Sequence, residues 1–117
     1  MKLRPYLPSF LLLLMLLLLA GCGRAQTSQI TIKLEGMRFQ HDSLQVQTGQ
    51  PVTLQLVNKD GYAHAFDLDE FDIHLQLAAE EIVEVSFTPT QSGTFTFYCS
   101  SPGHEAAGMV GSLTVLP

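Results

Sequence analysis

The sequence is poor in cysteine, in basic side chains and in helical periodicity, and each shortage excludes something. Its 117 residues hold two cysteines, six Lys+Arg against eleven Asp+Glu, and no tryptophan, and only 15% of them are charged. Two cysteines cannot build a disulfide-dense scaffold. The acidic balance disfavours a nucleic-acid partner, which needs a basic face. The length allows one domain at most, and beyond the N-terminal leucine run no internal repeat or low-complexity tract is present. Apolar residues do not recur with the 3.6-residue period, so helix is expected to be nearly absent.

One long hydrophobic run is present, at the N-terminus. Lys2 and Arg4 precede an apolar stretch from Phe10 to Ala20, eleven residues, where a bilayer span needs roughly 20. This is the pattern of an export signal. It ends in Leu19-Ala20-Gly21-Cys22, which resembles the lipobox of bacterial lipoproteins, and the resemblance implies cleavage before Cys22 and lipid on that cysteine. The expected organisation is a signal peptide over 1–21, lipidated Cys22 with a short tether over 22–28, and a folded domain over 29–117. The expected location is outside the cytoplasm, anchored to a bacterial membrane and facing the periplasm or the cell exterior. Removing 21 of the 117 residues leaves 96, with Arg24, Lys33, Arg38 and Lys59 against all eleven acids, a net charge of −7. With Cys22 lipidated, Cys99 has no partner for a disulfide within the domain.

From Gln29 onward the periodicity is two. Ile30, Ile32 and Leu34 alternate with polar residues, as do Leu44 and Val46, then Val52, Leu54 and Leu56, then Val83, Val85 and Phe87, then Phe95 and Phe97, then Leu113 and Val115. Turn signals such as Gly36, Thr48-Gly49-Gln50-Pro51, Asn58-Lys59-Asp60-Gly61 and Pro102-Gly103 separate the runs. Seven or eight short strands with one apolar face predict an all-β, two-sheet Greek-key sandwich. The stretch from Asp67 to Glu81 reads equally as strand, long loop or short helical turn.

The chemistry lies between Phe97 and Met109. Cys99, His104 and Met109 follow one another with four residues between each pair. A thiolate, an imidazole and a thioether on one loop form a soft donor set that suits copper, above all Cu(I). Pro102 and Gly103 let the loop fold back so that the three side chains converge, and a fourth ligand must come from elsewhere. Strand parity selects it. In the run Ala63 to Leu68, His64 shares a face with Phe66 and Leu68, whereas His74 falls with the polar residues of its run. The same test puts Cys99 with Phe95 and Phe97, and Met109 with Leu113 and Val115. His41, beside Asp42 in a turn-like stretch, is expected to be exposed and without function.

At these residues the sequence resembles the cupredoxins, the small blue-copper proteins that include plastocyanin, azurin and auracyanin. The resemblance covers the whole folded part and includes Phe39, Leu44, Val46, Gly49, Val52, Leu54, Leu56 and Asn58, and the approach Gly93-Thr94-Phe95-Thr96-Phe97-Tyr98-Cys99. It implies a Greek-key sandwich holding one Cu(I)/Cu(II) ion near one end and carrying single electrons. On this resemblance His64, Cys99 and His104 are the equatorial ligands and Met109 the weak axial one. Ala65 departs from the family, where an asparagine helps tie the two ligand loops together, so that side-chain tie is lost here. A binuclear copper site would need a second cysteine in the loop.

The expected function is therefore a membrane-anchored electron shuttle, not an enzyme, working as a monomer with redox proteins such as a cytochrome, an oxidase or a reductase. The alternative is an exported carrier or chaperone that delivers or buffers copper. A Cys99–His104 thiol nucleophile lacks an evident third orienting group, and a structural zinc site would seldom recruit methionine. The acids Asp67, Asp69, Glu70, Asp72, Glu80, Glu81 and Glu84 suit either steering of a basic partner or a solvated surface.

Overall fold

Each run of alternating apolar residues becomes a strand. The computed structural model describes residues 23 and 26–117, and the expected signal peptide, Cys22 and part of the tether lie outside them. Eight strands follow in order: β1 (Ser28–Leu34), β2 (Ser43–Gln47), β3 (Val52–Asn58), β4 (His64–Leu68), β5 (Ile73–Leu77), β6 (Ile82–Phe87), β7 (Gly93–Tyr98) and β8 (Val110–Leu116). They form two sheets, ordered β1-β3-β6 and β2-β8-β7-β4-β5. Most neighbours are antiparallel, but β1 runs parallel to β3 and β2 parallel to β8. The chain thus changes sheet between β1 and β2, which closes one side of the sandwich.

The core is made by the inward positions of both sheets. Ile32, Leu34, Leu54 and Leu56 from the smaller sheet and Phe66, Leu68, Leu77, Phe97 and Leu113 from the larger one have no exposed surface. Phe39, in the β1–β2 connection, meets Phe66 and Phe97 edge-on at centroid distances of 5.8 and 5.1 Å, and those two rings lie 5.2 Å apart. Edge-to-face pairs of this kind add about 0.5–1.5 kcal/mol beyond area burial. The aromatic trio sits directly behind the site, because Phe66 follows His64 by two residues and Phe97 precedes Cys99 by two.

The ambiguous stretch resolves into strand and a short helical turn, with no long loop. Asp67 and Leu68 complete β4, Asp69–Phe71 form one 3₁₀ turn, and β5 pairs antiparallel with β4, His74 opposite Asp67. Local pattern could not settle this, because β5 is an edge strand of five residues fixed by its pairing with β4. In β4 all five residues are buried, so its outer face is covered as well and burial does not alternate there, although the apolar row does.

Candidate metal centre

The site forms where three chain segments end at one pole of the larger sheet. His64 is the first residue of β4, Cys99 follows the last residue of β7, and Met109 precedes the first residue of β8. The β7–β8 ladder continues past its formal end: the Cys99 N–H donates to the Met109 carbonyl at 3.1 Å. That bond closes the ligand loop at its base. Within the loop, the Met109 N–H donates to the His104 carbonyl (3.0 Å), the Ala107 N–H to the Gly103 carbonyl (3.0 Å) and the His104 N–H to the Ser101 carbonyl (3.0 Å). Gly103 and Gly108 adopt φ of +82° and +95°, a region open to glycine at little cost. The loop is therefore a coil held by its own backbone.

Three of the four expected ligands converge. One atom each from His64, Cys99 and His104 lie within 4.8 Å of one another. His64 Nδ1 is 3.2 Å from His104 Nδ1, and Cys99 Sγ is 3.5 Å from His104 Nδ1. Metal bonds of about 2.0 Å to nitrogen and 2.3 Å to sulfur at tetrahedral angles would place two nitrogens about 3.3 Å apart and nitrogen and sulfur about 3.5 Å apart. The observed spacings match, so the residues fit a single metal ion. Met109 is fully buried in the same apolar cluster as Cys99. His64 and Cys99 have no exposed surface, while His104 is half-buried. The rings of Tyr62 and His64 lie 5.0 Å apart, and Tyr62 meets His104 edge-on at 6.2 Å. His74 takes no part, and His41 is exposed.

The loss of an asparagine at Ala65 does not untie the loops. The Ala65 backbone N–H donates to Cys99 Sγ at 3.2 Å, a bond available to every residue except proline. A second tie comes from Asp67, whose carboxylate accepts the Ser100 N–H at 3.2 Å and His74 Nδ1 at 3.0 Å. Asp67 is 5% exposed, so it belongs to the site's support and not to an acidic docking surface. Its hydrogen bond is the leading cause that raises the His74 pKa above the ordinary value, against the opposing effect of burial.

Asp60 is the other residue that sequence reasoning missed, having been read only as part of a turn. Its carboxylate accepts a hydrogen bond from His64 Nε2 at 2.8 Å and from the Gly36 N–H at 2.9 Å. Burial alone would raise the Asp60 pKa, but the hydrogen bonds from His64 and Gly36 outweigh it and hold the carboxyl below its ordinary value. An acid four residues before a ligand histidine was the available signal.

Comparison with known proteins bears on the family and the fold. Residues 9–115 match the family model for a cupredoxin-like domain. Plastocyanin A'/A'' of Nicotiana tabacum is 32% identical over 92 residues, covering 68% of this chain and 89% of that protein. Chloroplastic plastocyanin of Silene latifolia subsp. alba is 29% identical over 110 residues, covering 84% of this chain but only 64% of that longer protein. Among solved structures, auracyanin A, a "blue" copper protein from Chloroflexus aurantiacus, superposes with a TM-score of 0.68 at 23% identity, over 78% of this chain and all of that one.

Proposed function

The chain belongs to the cupredoxin family, and from that premise we propose that it is a mononuclear blue-copper protein that shuttles single electrons. His64, Cys99 and His104 would hold the ion through Nδ1, Sγ and Nδ1, with Met109 as the weak axial ligand. The observation that carries this reading is the convergence of two imidazole nitrogens and one thiol on a single point. Copper bound there would supply a one-electron couple, and a His₂Cys set with a distant thioether is the donor pattern of blue-copper sites.

The protein's own contribution is rigidity and exclusion. The ligand loop is closed by backbone hydrogen bonds and cross-tied to β4 by Ala65 and Asp67, so its donor atoms need not move when the charge on the metal changes. His64 and Cys99 are sealed from solvent, and His104 alone of the four reaches the surface. Electrons would therefore enter and leave near His104, through a surface of small and apolar side chains that includes Tyr62, Pro102, Ala106 and Ala107, all exposed. The 3.5 Å contact of Cys99 with His104 would also suit a thiol nucleophile, but a sulfur with no exposed surface cannot meet a substrate.

The same reading places the protein in an export pathway. Cys22 lies in the lipobox-like run, and lipid there would anchor the domain to a membrane. The six residues Gly23 to Ser28 reach about 20 Å when extended, so the copper end would serve membrane-associated redox partners, the domain acting as a monomer. Mass spectrometry of the mature protein should find Cys22 N-terminal and acylated, and an unmodified Cys22 would remove the anchor.

Electron transfer and copper delivery share every ligand, and retention separates them. The reduced protein should keep Cu(I) against a moderate chelator at neutral pH and cycle reversibly at an electrode. Rapid loss of Cu(I) to an acceptor, with irreversible voltammetry, would make it a copper-delivery protein.

A further inference from the structure

We infer that Asp60 is a positioning residue for the metal: it fixes the tautomer of His64, and its negative charge biases the site toward Cu(II). The inference rests on the ligand assignment proposed above. His64 has no exposed side-chain surface, so its far nitrogen cannot be satisfied by bulk water. The partner it meets is Asp60 Oδ2, at 2.8 Å. An ionised carboxylate only accepts hydrogen bonds, so Nε2 carries a proton and the neutral ring presents its bare lone pair at Nδ1. That lone pair is on the nitrogen 3.2 Å from His104 Nδ1 and in the cluster with Cys99. Without such a partner, neutral His64 could carry its proton on Nδ1 and turn a donor toward the metal.

Asp60 is itself clamped. The Gly36 N–H, in the β1–β2 connection, donates to Oδ2 at 2.9 Å and Oδ1 at 3.2 Å. The Asp60 N–H donates to Asn58 Oδ1 at 3.0 Å, and the Glu80 N–H donates to the Asp60 carbonyl at 3.2 Å. Gly36 thus holds the carboxylate, and Asn58 and Glu80 hold the backbone that carries it, against one imidazole. A neutral acceptor in that place would also set the tautomer, but only a carboxylate adds a negative charge. A negative charge next to a ligand stabilises the more positive oxidation state and lowers the reduction potential.

Charge and position are separable by substitution, because the same oxygen, Oδ2, serves both His64 and Gly36. Asp60→Asn can keep both Oδ2 bonds with its amide oxygen, losing the charge and the longer Gly36 contact to Oδ1. Copper-loaded Asp60→Asn should stay intensely coloured, and its potential should shift positive of the parent. Asp60→Ala should lose copper affinity by about 10–100-fold. Nitrogen-15 NMR of the unsubstituted metal-free protein gives a readout independent of any variant's folding, and His64 should appear as the Nε2–H tautomer. An unchanged potential in Asp60→Asn, unchanged affinity in Asp60→Ala, or an Nδ1–H tautomer would overturn the role. A coloured parent with any of these results sinks Asp60 alone, whereas a colourless copper-loaded parent sinks the ligand assignment and this inference with it.

Discussion

Replacing Asn58 by alanine should remove a large share of the domain's stability without touching a proposed ligand. Asn58 is 1% exposed and closes β3. Its Nδ2 donates to the carbonyls of Tyr62 and Ala78, both at 2.8 Å, and its Oδ1 accepts the Asp60 N–H at 3.0 Å. One amide therefore fastens the loop of residues 59–63 to itself and to the turn that precedes β6. Each such bond is worth about 0.5–1.5 kcal/mol net, and truncation breaks all three part-buried bonds at once, so together they should cost about 3 kcal/mol. Domains of this size hold about 5–15 kcal/mol in all. At 4–8 °C per kcal/mol the melting temperature should fall by about 12–24 °C. Urea unfolding of the metal-free protein is the assay, with an unchanged slope and a lowered midpoint expected. Copper affinity should fall as well, because the same loop presents Asp60 and leads into His64. A loss below about 1 kcal/mol would refute the reasoning, since it would mean that the three bonds exchange for water at no net cost.

Three further outcomes follow from particular contacts. Gly111→Ala should destabilise by about 1–3 kcal/mol, because the added methyl would overlap the Phe97 ring and approach the Asp42 carbonyl to 2.8 Å; a urea midpoint equal to the parent's would contradict that packing. His74, whose pKa is raised chiefly by its bond to Asp67, should stabilise the metal-free fold fully below its unfolded value of about 6.5 and progressively less as pH rises through the folded value; the parent's advantage over His74→Gln, followed by urea unfolding against pH, should shrink in that direction, and an advantage that grows with pH would reverse the sign. Met109→Leu should keep copper and raise the potential, because a long axial bond tunes the site more than it builds it; loss of the metal, or an unmoved potential, would argue against an axial thioether.

The sequence revealed what depends on alternation and spacing. Parity separated His64 from His74 because β4 has an apolar inward row, Phe66 and Leu68, and His74 sits on the polar face of β5. The loop ligands were legible because Cys99 and Met109 continue the inward rows of β7 and β8, so that spacing along the chain translates directly into convergence. The supporting groups were less legible. Asp67 looks like one acid among many until β5 and the ligand loop cover it. Asp60 looks like a turn residue until Gly36, 24 positions earlier, is brought against it. The tie lost at Ala65 was sought in a side chain, whereas a backbone N–H supplies it. In each case the missing information was long-range pairing, which local periodicity does not carry. The β1–β3 and β2–β8 parallel pairs were invisible for the same reason.

The central claim is that Cys99 gives its thiolate to a copper ion held by His64 and His104. The visible absorption spectrum of the oxidised, copper-loaded protein tests it most directly, because a thiolate bound to Cu(II) gives intense colour and neither zinc nor a free thiol does. The parent should be strongly coloured and bleach on one-electron reduction, and Cys99→Ser should fold as a β-domain and be pale. A copper-loaded parent without intense colour, or a Cys99→Ser variant as coloured as the parent, would contradict the claim.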